Sequence, residues 1–291
     1  MARTISSFLD RHHFLLRRLH SLSGIVPIGL FLIVHLLTNS SILWAMANAR
    51  ADHLAEGDLI GRGVVTFAEE VQFINELPYL LLIELTLWLS IAFHAVLGAW
   101  YALTGRVNVR EYGYGGNVRY ALQRLSGWVA IVYIFYHIAT LRWGWTFLVP
   151  GETAWTHERA ASTLTLALRG GTDFTLGGLI VSLFYFVGIT AVVFHFANGL
   201  WTAAITWGVT VSAAAQRRWG YVCAAAGVVL MAMAWGALAG FVLLDPDKAA
   251  TFEARMRPEV ADAEPATTQD YPWPGTEEAV ELERRKGPLQ R

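Results

Sequence analysis

The chain has 291 residues, with 22 basic and 23 acidic side chains, and its net charge of -1 gives no electrostatic basis for binding nucleic acid. Only 15% of its residues are charged, where a soluble domain carries about 25%, and 55% are hydrophobic with a mean hydropathy of +0.41, which argues against a water-soluble fold. The single cysteine, Cys223, excludes an internal disulfide framework and a self-contained iron–sulfur cluster, which normally takes about four thiolates.

The first 20 residues hold Arg3, Arg11, Arg17 and Arg18 and no long apolar run before Leu19, so no cleavable signal peptide is expected. Apolar runs of about 20 residues, enough to cross a bilayer, then follow at 22–44, 80–103, 125–149, 176–207 and 221–244. Each must be helical, because unpaired backbone groups find no water in lipid. The fourth run is longer than needed and is expected to tilt or to project from the membrane. The fold class is therefore an all-α membrane protein of five transmembrane helices. Twelve tryptophans and ten tyrosines suit interfacial belts.

Basic residues sort to one side. Arg106, Arg110, Arg119 and Arg124 lie between or at the ends of helices two and three, and Arg217 and Arg218 between helices four and five. On the other side Asp52, Glu56, Asp58, Glu69, Glu70 and Glu76 outnumber Arg50 and Arg62. Positive residues stay in the cytoplasm, so the N-terminus is expected inside and the C-terminus outside. Residues 1–20 read as a cytoplasmic segment, 21–245 as the membrane domain, and 246–291 as a mostly extended or disordered outer tail, because the tail mixes Pro, Glu, Asp and Arg with little apolar periodicity. Helices two and four both contain Phe-His followed by small residues, a match too short to read as a duplication.

His35, His94, His137 and His195 lie deep in helices one to four, one in each, and helix five has none. A polar side chain in lipid is costly without a partner, and Glu84 is the only carboxylate well inside a run. Depth decides which histidines can meet. His35 stands 17 residues beyond Arg18, which is about 26 Å at about 1.5 Å per residue. His137 stands 13 residues beyond Arg124 and 18 beyond Arg119, at a similar depth. His94 lies 16 residues inward of Pro78, and His195 lies 22 inward of Asp173, so both have passed the midplane from the outer side. The pairs are then His35 with His137 in the outer half and His94 with His195 in the inner half. Two pairs of imidazoles at two depths are what two six-coordinate b-type haems require, with electron transfer as the natural role. The first four helices then form a haem-binding bundle. Zinc or copper would more often draw on thiolates or carboxylates at one depth, and no Cys-x-x-Cys-His is present for covalent haem attachment. Gly24, Gly98 and Gly199 each follow a histidine by four residues, on the same helix face. They leave room for a porphyrin or for close helix packing.

The runs Arg17-Arg18-Leu19-His20-Ser21-Leu22-Ser23-Gly24, Phe93-His94-Ala95-Val96-Leu97-Gly98, Gln123-Arg124-Leu125-Ser126-Gly127 and Phe194-His195-Phe196-Ala197-Asn198-Gly199-Leu200-Trp201 resemble the di-haem cytochrome b subunit of succinate:quinone oxidoreductases over about residues 14–240. The resemblance implies the same histidine pairing and a membrane anchor for a flavoprotein subunit and an iron–sulfur subunit in the cytoplasm. It implies a bacterial cytoplasmic membrane, and electrons passing through two haem b groups to a quinone, often menaquinone, near the outer haem. Self-association of the complex is left open.

The resemblance also implies an acid at the outer end of helix two serving the quinone site, for which Glu69, Glu70 and Glu76 are the candidates; as solvated loop acids they would only set topology. Glu84 is read as a proton relay, a partner to Arg142, or a helix-end residue. Arg17, Arg18, His20 and Arg124 are read as haem propionate ligands or as a dock for the iron–sulfur subunit, and Arg142 as an outer propionate ligand. His12, His13, His53 and His157 are expected at the surface. The competing readings are a quinol:fumarate reductase subunit, which runs the same architecture in reverse, another di-haem cytochrome b, and a haem-free transporter with a histidine proton relay.

Overall fold

The computed structural model describes residues 11–47, 57–106 and 108–257. His53, residues 1–10 and the tail beyond 257 lie outside the described residues. All regular structure in the described residues is helical: α1 (His13–Ile25), α2 (Pro27–Trp44), α3 (Leu59–Asn75), α4 (Leu80–Thr104), α5 (Gly115–Leu141), α6 (Ala160–Arg169), α7 (Leu176–Thr206), α8 (Ala213–Leu243) and α9 (Pro246–Met256), with short 3-10 turns at Ala45–Ala47 and Thr146–Leu148.

Five helical spans are long and apolar enough to cross a membrane, and the chain is a multi-pass membrane protein. The first span joins α1 and α2. Pro27 has no N–H to continue the hydrogen-bond ladder, so the helix breaks at Val26, and the proline starts α2 at a position that suits it. The third span begins earlier and ends earlier than the expected 125–149. Its first turns carry Arg119 and Arg124, and both guanidiniums bond to neighbouring segments, so charge does not delay the helix. It stops at Leu141 because Arg142 turns to Glu84 and Gly144 adopts φ 69°. The fifth span likewise starts early, at Ala213, where Ser212 Oγ accepts from Ala215 N at 3.2 Å.

Small residues bring the spans together. Gly188 of α7 lies so close to Tyr133 of α5 that a Cβ there would overlap the ring. Gly240 of α8 packs on Ile42 and Leu43 of α2. α4 is different. Only Leu97 among its 25 residues is buried, and open apolar grooves of about 350 and 340 Å³ run between it and the first span.

One end of the bundle, the arginine end, carries Arg17, Arg18, Arg119, Arg124 and Arg217. The other is covered by a cap of α3, α6 and α9, whose Val64, Val65, Leu164, Leu168 and Phe252 form one core with Phe241 of α8. Residues 246–256, expected to be extended or unstructured, thus form a helix that belongs to the cap. Asp245 caps it through Asp247 N and Lys248 N, Pro246 occupies its first turn, and Ala249, Phe252 and Glu253 are buried.

Candidate functional site

The four deep histidines meet in two pairs. The ring centres of His94 and His195 are 6.1 Å apart with planes at 83°. Those of His35 and His137 are 5.7 Å apart with planes at 84°. Among the described residues, no three His, Cys, Asp or Glu side chains converge in a way that could hold a metal ion. The arrangement is two imidazole pairs and not one polydentate ion site.

The pair nearer the arginine end has the firmer support. His94 Nδ1 lies 2.9 Å from the His20 carbonyl, and His195 Nδ1 lies 3.0 Å from the Gln123 carbonyl. A carbonyl only accepts, so each Nδ1 carries the proton and each Nε2 keeps a free lone pair. A metal ion between two imidazoles, at about 2 Å from each nitrogen, sets the ring centres about 6 Å apart, and both pairs fit. His20 does not join as a third ligand; its ring stacks on His94 at 3.9 Å and 14°. Arg18 Nε, on the Phe14 and Trp207 side of α1, and His20 Nδ1, on the His94 and Tyr101 side, are each buried with no hydrogen-bond partner among the described residues. The unsatisfied buried guanidinium N–H of Arg18 suits an anionic group such as a haem propionate. By ring spacing, the free Nε2 lone pairs and the open Arg18 N–H, the residues present fit haem.

The pair nearer the cap sits among aromatics. Tyr185 Oη is 3.4 Å from His137 Nδ1, and Tyr133 is 5.8 Å from the His137 ring, centre to centre. Phe31 stacks on His35 at 5.2 Å. Asn39 Nδ2 donates to the His35 carbonyl at 2.7 Å and lies 3.4 Å from its Nε2.

The other expected residues sort as follows. Arg17 lies over the Tyr101 ring at 5.4 Å. Arg124 donates to the Gly105 carbonyl at 3.0 Å and lies over Tyr120. Arg142 makes a two-pronged bond to Glu84, 2.9 and 3.0 Å, which joins α5 to α4. Glu84 is therefore the Arg142 partner among its three readings. Glu69 and Glu76 are exposed, and Glu76 accepts from Gln72 at 2.7 Å. Glu70 is half-buried beside the Ser41 hydroxyl, with its Oε2 buried and unbonded among the described residues, and burial pushes its carboxyl above the usual range. His12 and His13 are exposed, and His157 pairs with Glu158 at 2.9 Å. The space at the glycines is taken by side chains of the site itself: His94 at Gly24, His20 at Gly98 and Gln123 at Gly199.

A polar chain escaped the sequence reading. Arg119 Nε donates to Asn198 Oδ1 at 2.9 Å, Asn198 Nδ2 to Gln123 Oε1 at 2.7 Å, and Gln123 Nε2 to the His195 carbonyl at 3.1 Å. The signal was there: Asn198 is an amide inside an apolar run, which needs a partner.

No family model matches the chain. It is 30% identical, over 230 residues, to the succinate dehydrogenase cytochrome b558 subunit of Bacillus subtilis (strain 168), a stretch that takes in 79% of this chain and 97% of the relative.

Proposed function

The chain belongs to the family of succinate dehydrogenase cytochrome b subunits, and from that premise we propose that it anchors a flavoprotein and an iron–sulfur subunit to the membrane and carries electrons from the latter to a quinone, menaquinone being the expected acceptor. The observation that carries the reading is the pair of facing imidazoles at each of two depths. Two haem b groups held there would supply one-electron transfer across the membrane.

His94 and His195 would hold the haem nearer the partners, and His35 and His137 the farther one. Arg18 offers its open N–H to a propionate of the nearer haem. The arginine end faces the cytoplasm in this reading and the cap faces outside. All three candidate acids stand on or at the end of the cap helix α3, and partial burial beside Ser41 sets Glu70 apart from the exposed Glu69 and Glu76. Ser41, beside Glu70, stands six residues past His35 on the same span, about 9 Å along the axis. A half-buried carboxyl that holds its proton to higher pH than usual can deliver it to a reduced quinone at that depth.

The test is to isolate the complex and follow succinate. Succinate should reduce b-type haem in the wild type, and the flavoprotein and iron–sulfur subunits should copurify. Glu70→Gln should leave haem content unchanged but slow quinone reduction by about tenfold or more. Wild-type turnover should fall as pH rises through the raised Glu70 pKa, because the acid is then deprotonated. Failure of succinate to reduce any haem in a complex that holds both partners would refute the reading.

A further inference from the structure

The membrane domain holds a histidine in the same way twice. In the first span Ser23 Oγ donates to the His20 carbonyl at 2.9 Å and lies 3.3 Å from His94 Nδ1, which bonds that carbonyl. In the third span Ser126 Oγ donates to the Gln123 carbonyl at 3.1 Å and lies 3.2 Å from His195 Nδ1, which bonds that carbonyl in turn. The next residue is glycine in both. A Cβ at Gly24 would stand 2.5 Å from His94 Cε1, and one at Gly127 would stand 3.1 Å from His195 Cε1. The partner helices answer in kind. A Cβ at Gly98 would face the His20 ring at 3.2 Å, and one at Gly199 would face the Gln123 amide at 3.5 Å.

The sequence repeats with the geometry. Leu22-Ser23-Gly24 matches Leu125-Ser126-Gly127, and Phe93-His94 with Gly98 and Trp100 matches Phe194-His195 with Gly199 and Trp201. His35 follows Ser23 by 12 residues and His137 follows Ser126 by 11, and the surplus residue falls in the stretch where Val26 interrupts the first span. Two hairpins, the first and second spans and the third and fourth, carry one arrangement.

We propose that Ser23-Gly24 and Ser126-Gly127 are matched positioning residues, inherited from one repeated helical hairpin, that set the imidazole planes of His94 and His195 nearly perpendicular. A carbonyl alone lets a ring swing about its Cβ–Cγ bond. A second oxygen on the same Nδ1 restrains that swing, and the glycine lets the ring lie against the helix backbone. Each socket fixes one ring against its own helix, and the 83° between the planes follows from how the two hairpins face each other. The inference rests on the reading that these two rings share one haem iron. In low-spin ferric iron, perpendicular imidazole planes keep the two π-type d orbitals close in energy and raise the largest g value. Turning one ring toward parallel lowers it.

The experiment is electron paramagnetic resonance on the oxidised, purified complex carrying Ser23→Ala, Ser126→Ala, Gly24→Ala or Gly127→Ala. Each variant should move one of two low-spin signals to a smaller largest g value and leave the other in place. Gly24→Ala should move it further than Gly127→Ala, since its new methyl lies closer to the ring. Ser23→Thr and Ser126→Thr, which keep the hydroxyl, should return the wild-type signal. If an alanine variant loses the haem outright, the threonine variant decides: a wild-type signal supports the sockets, and loss there too overturns them. Alanine variants with wild-type signals overturn the sockets alone. A wild-type complex with no low-spin haem overturns the haem reading together with them.

Discussion

A partner on the second nitrogen fixes the tautomer of a ligating histidine, and backbone carbonyls supply it at His94 and His195. Which histidines share a depth was legible from helical rise and the positions of arginine and proline. The carbonyls were not legible, since a backbone acceptor leaves no mark in sequence. Nor were the partners of the arginines: Arg17 lies over Tyr101 and Arg142 is bound to Glu84. That ion pair makes a prediction of its own. Arg142→Ala leaves the mostly covered Glu84 carboxylate without its ion-pair partner, so it should destabilise the purified protein more than the double replacement Arg142→Ala with Glu84→Ala. A thermal-unfolding cycle should show coupling of about 1 kcal/mol; additive single changes would deny the pair any role.

The five spans were plain in hydropathy, but their ends were not. Hydropathy stops at an arginine, whereas a helix continues when the guanidinium finds an acceptor, as Arg119 and Arg124 do. The cap helix α9 was missed because Phe252 and Met256 are its only large apolar residues and one of its buried anchors is an acid. Glu253 is buried and accepts from Ala161 N at 2.7 Å and from the Ser162 backbone and hydroxyl, at the N-terminus of α6. Burial raises its pKa, opposed by those hydrogen bonds and by Arg159. A raised carboxyl contributes most below its ordinary range and loses that contribution as pH climbs through the raised value. Protease cleavage near α9 should therefore increase with pH in the wild type, and the trend should flatten in Glu253→Gln. Glu253→Ala, which strands the α6 donors, should loosen the cap by about 1–3 kcal/mol. In the bundle, Gly188→Ala would drive a methyl into Tyr133, the neighbour of His137. It should disturb the haem nearer the cap and spare the other, which a redox difference spectrum of the two bands would read.

The described residues form two histidine-bearing hairpins, a fifth span without a histidine, and a helical cap over one end. The sequence showed the histidine-free fifth span but hid the repeat, because only Leu-Ser-Gly, Phe-His and a spaced Gly and Trp survive as common letters while the matching contacts run through the backbone. In the proposed function two haems are each clasped by histidines from two spans, and a haem count decides between two and fewer. A pyridine haemochrome assay on the purified complex should give two haem b per chain. His94→Leu and His195→Leu should each leave one haem, the same one by its spectrum, and His35→Leu and His137→Leu should each leave the other. One haem or none in the wild type, or different haems lost from His94→Leu and His195→Leu, would contradict the account.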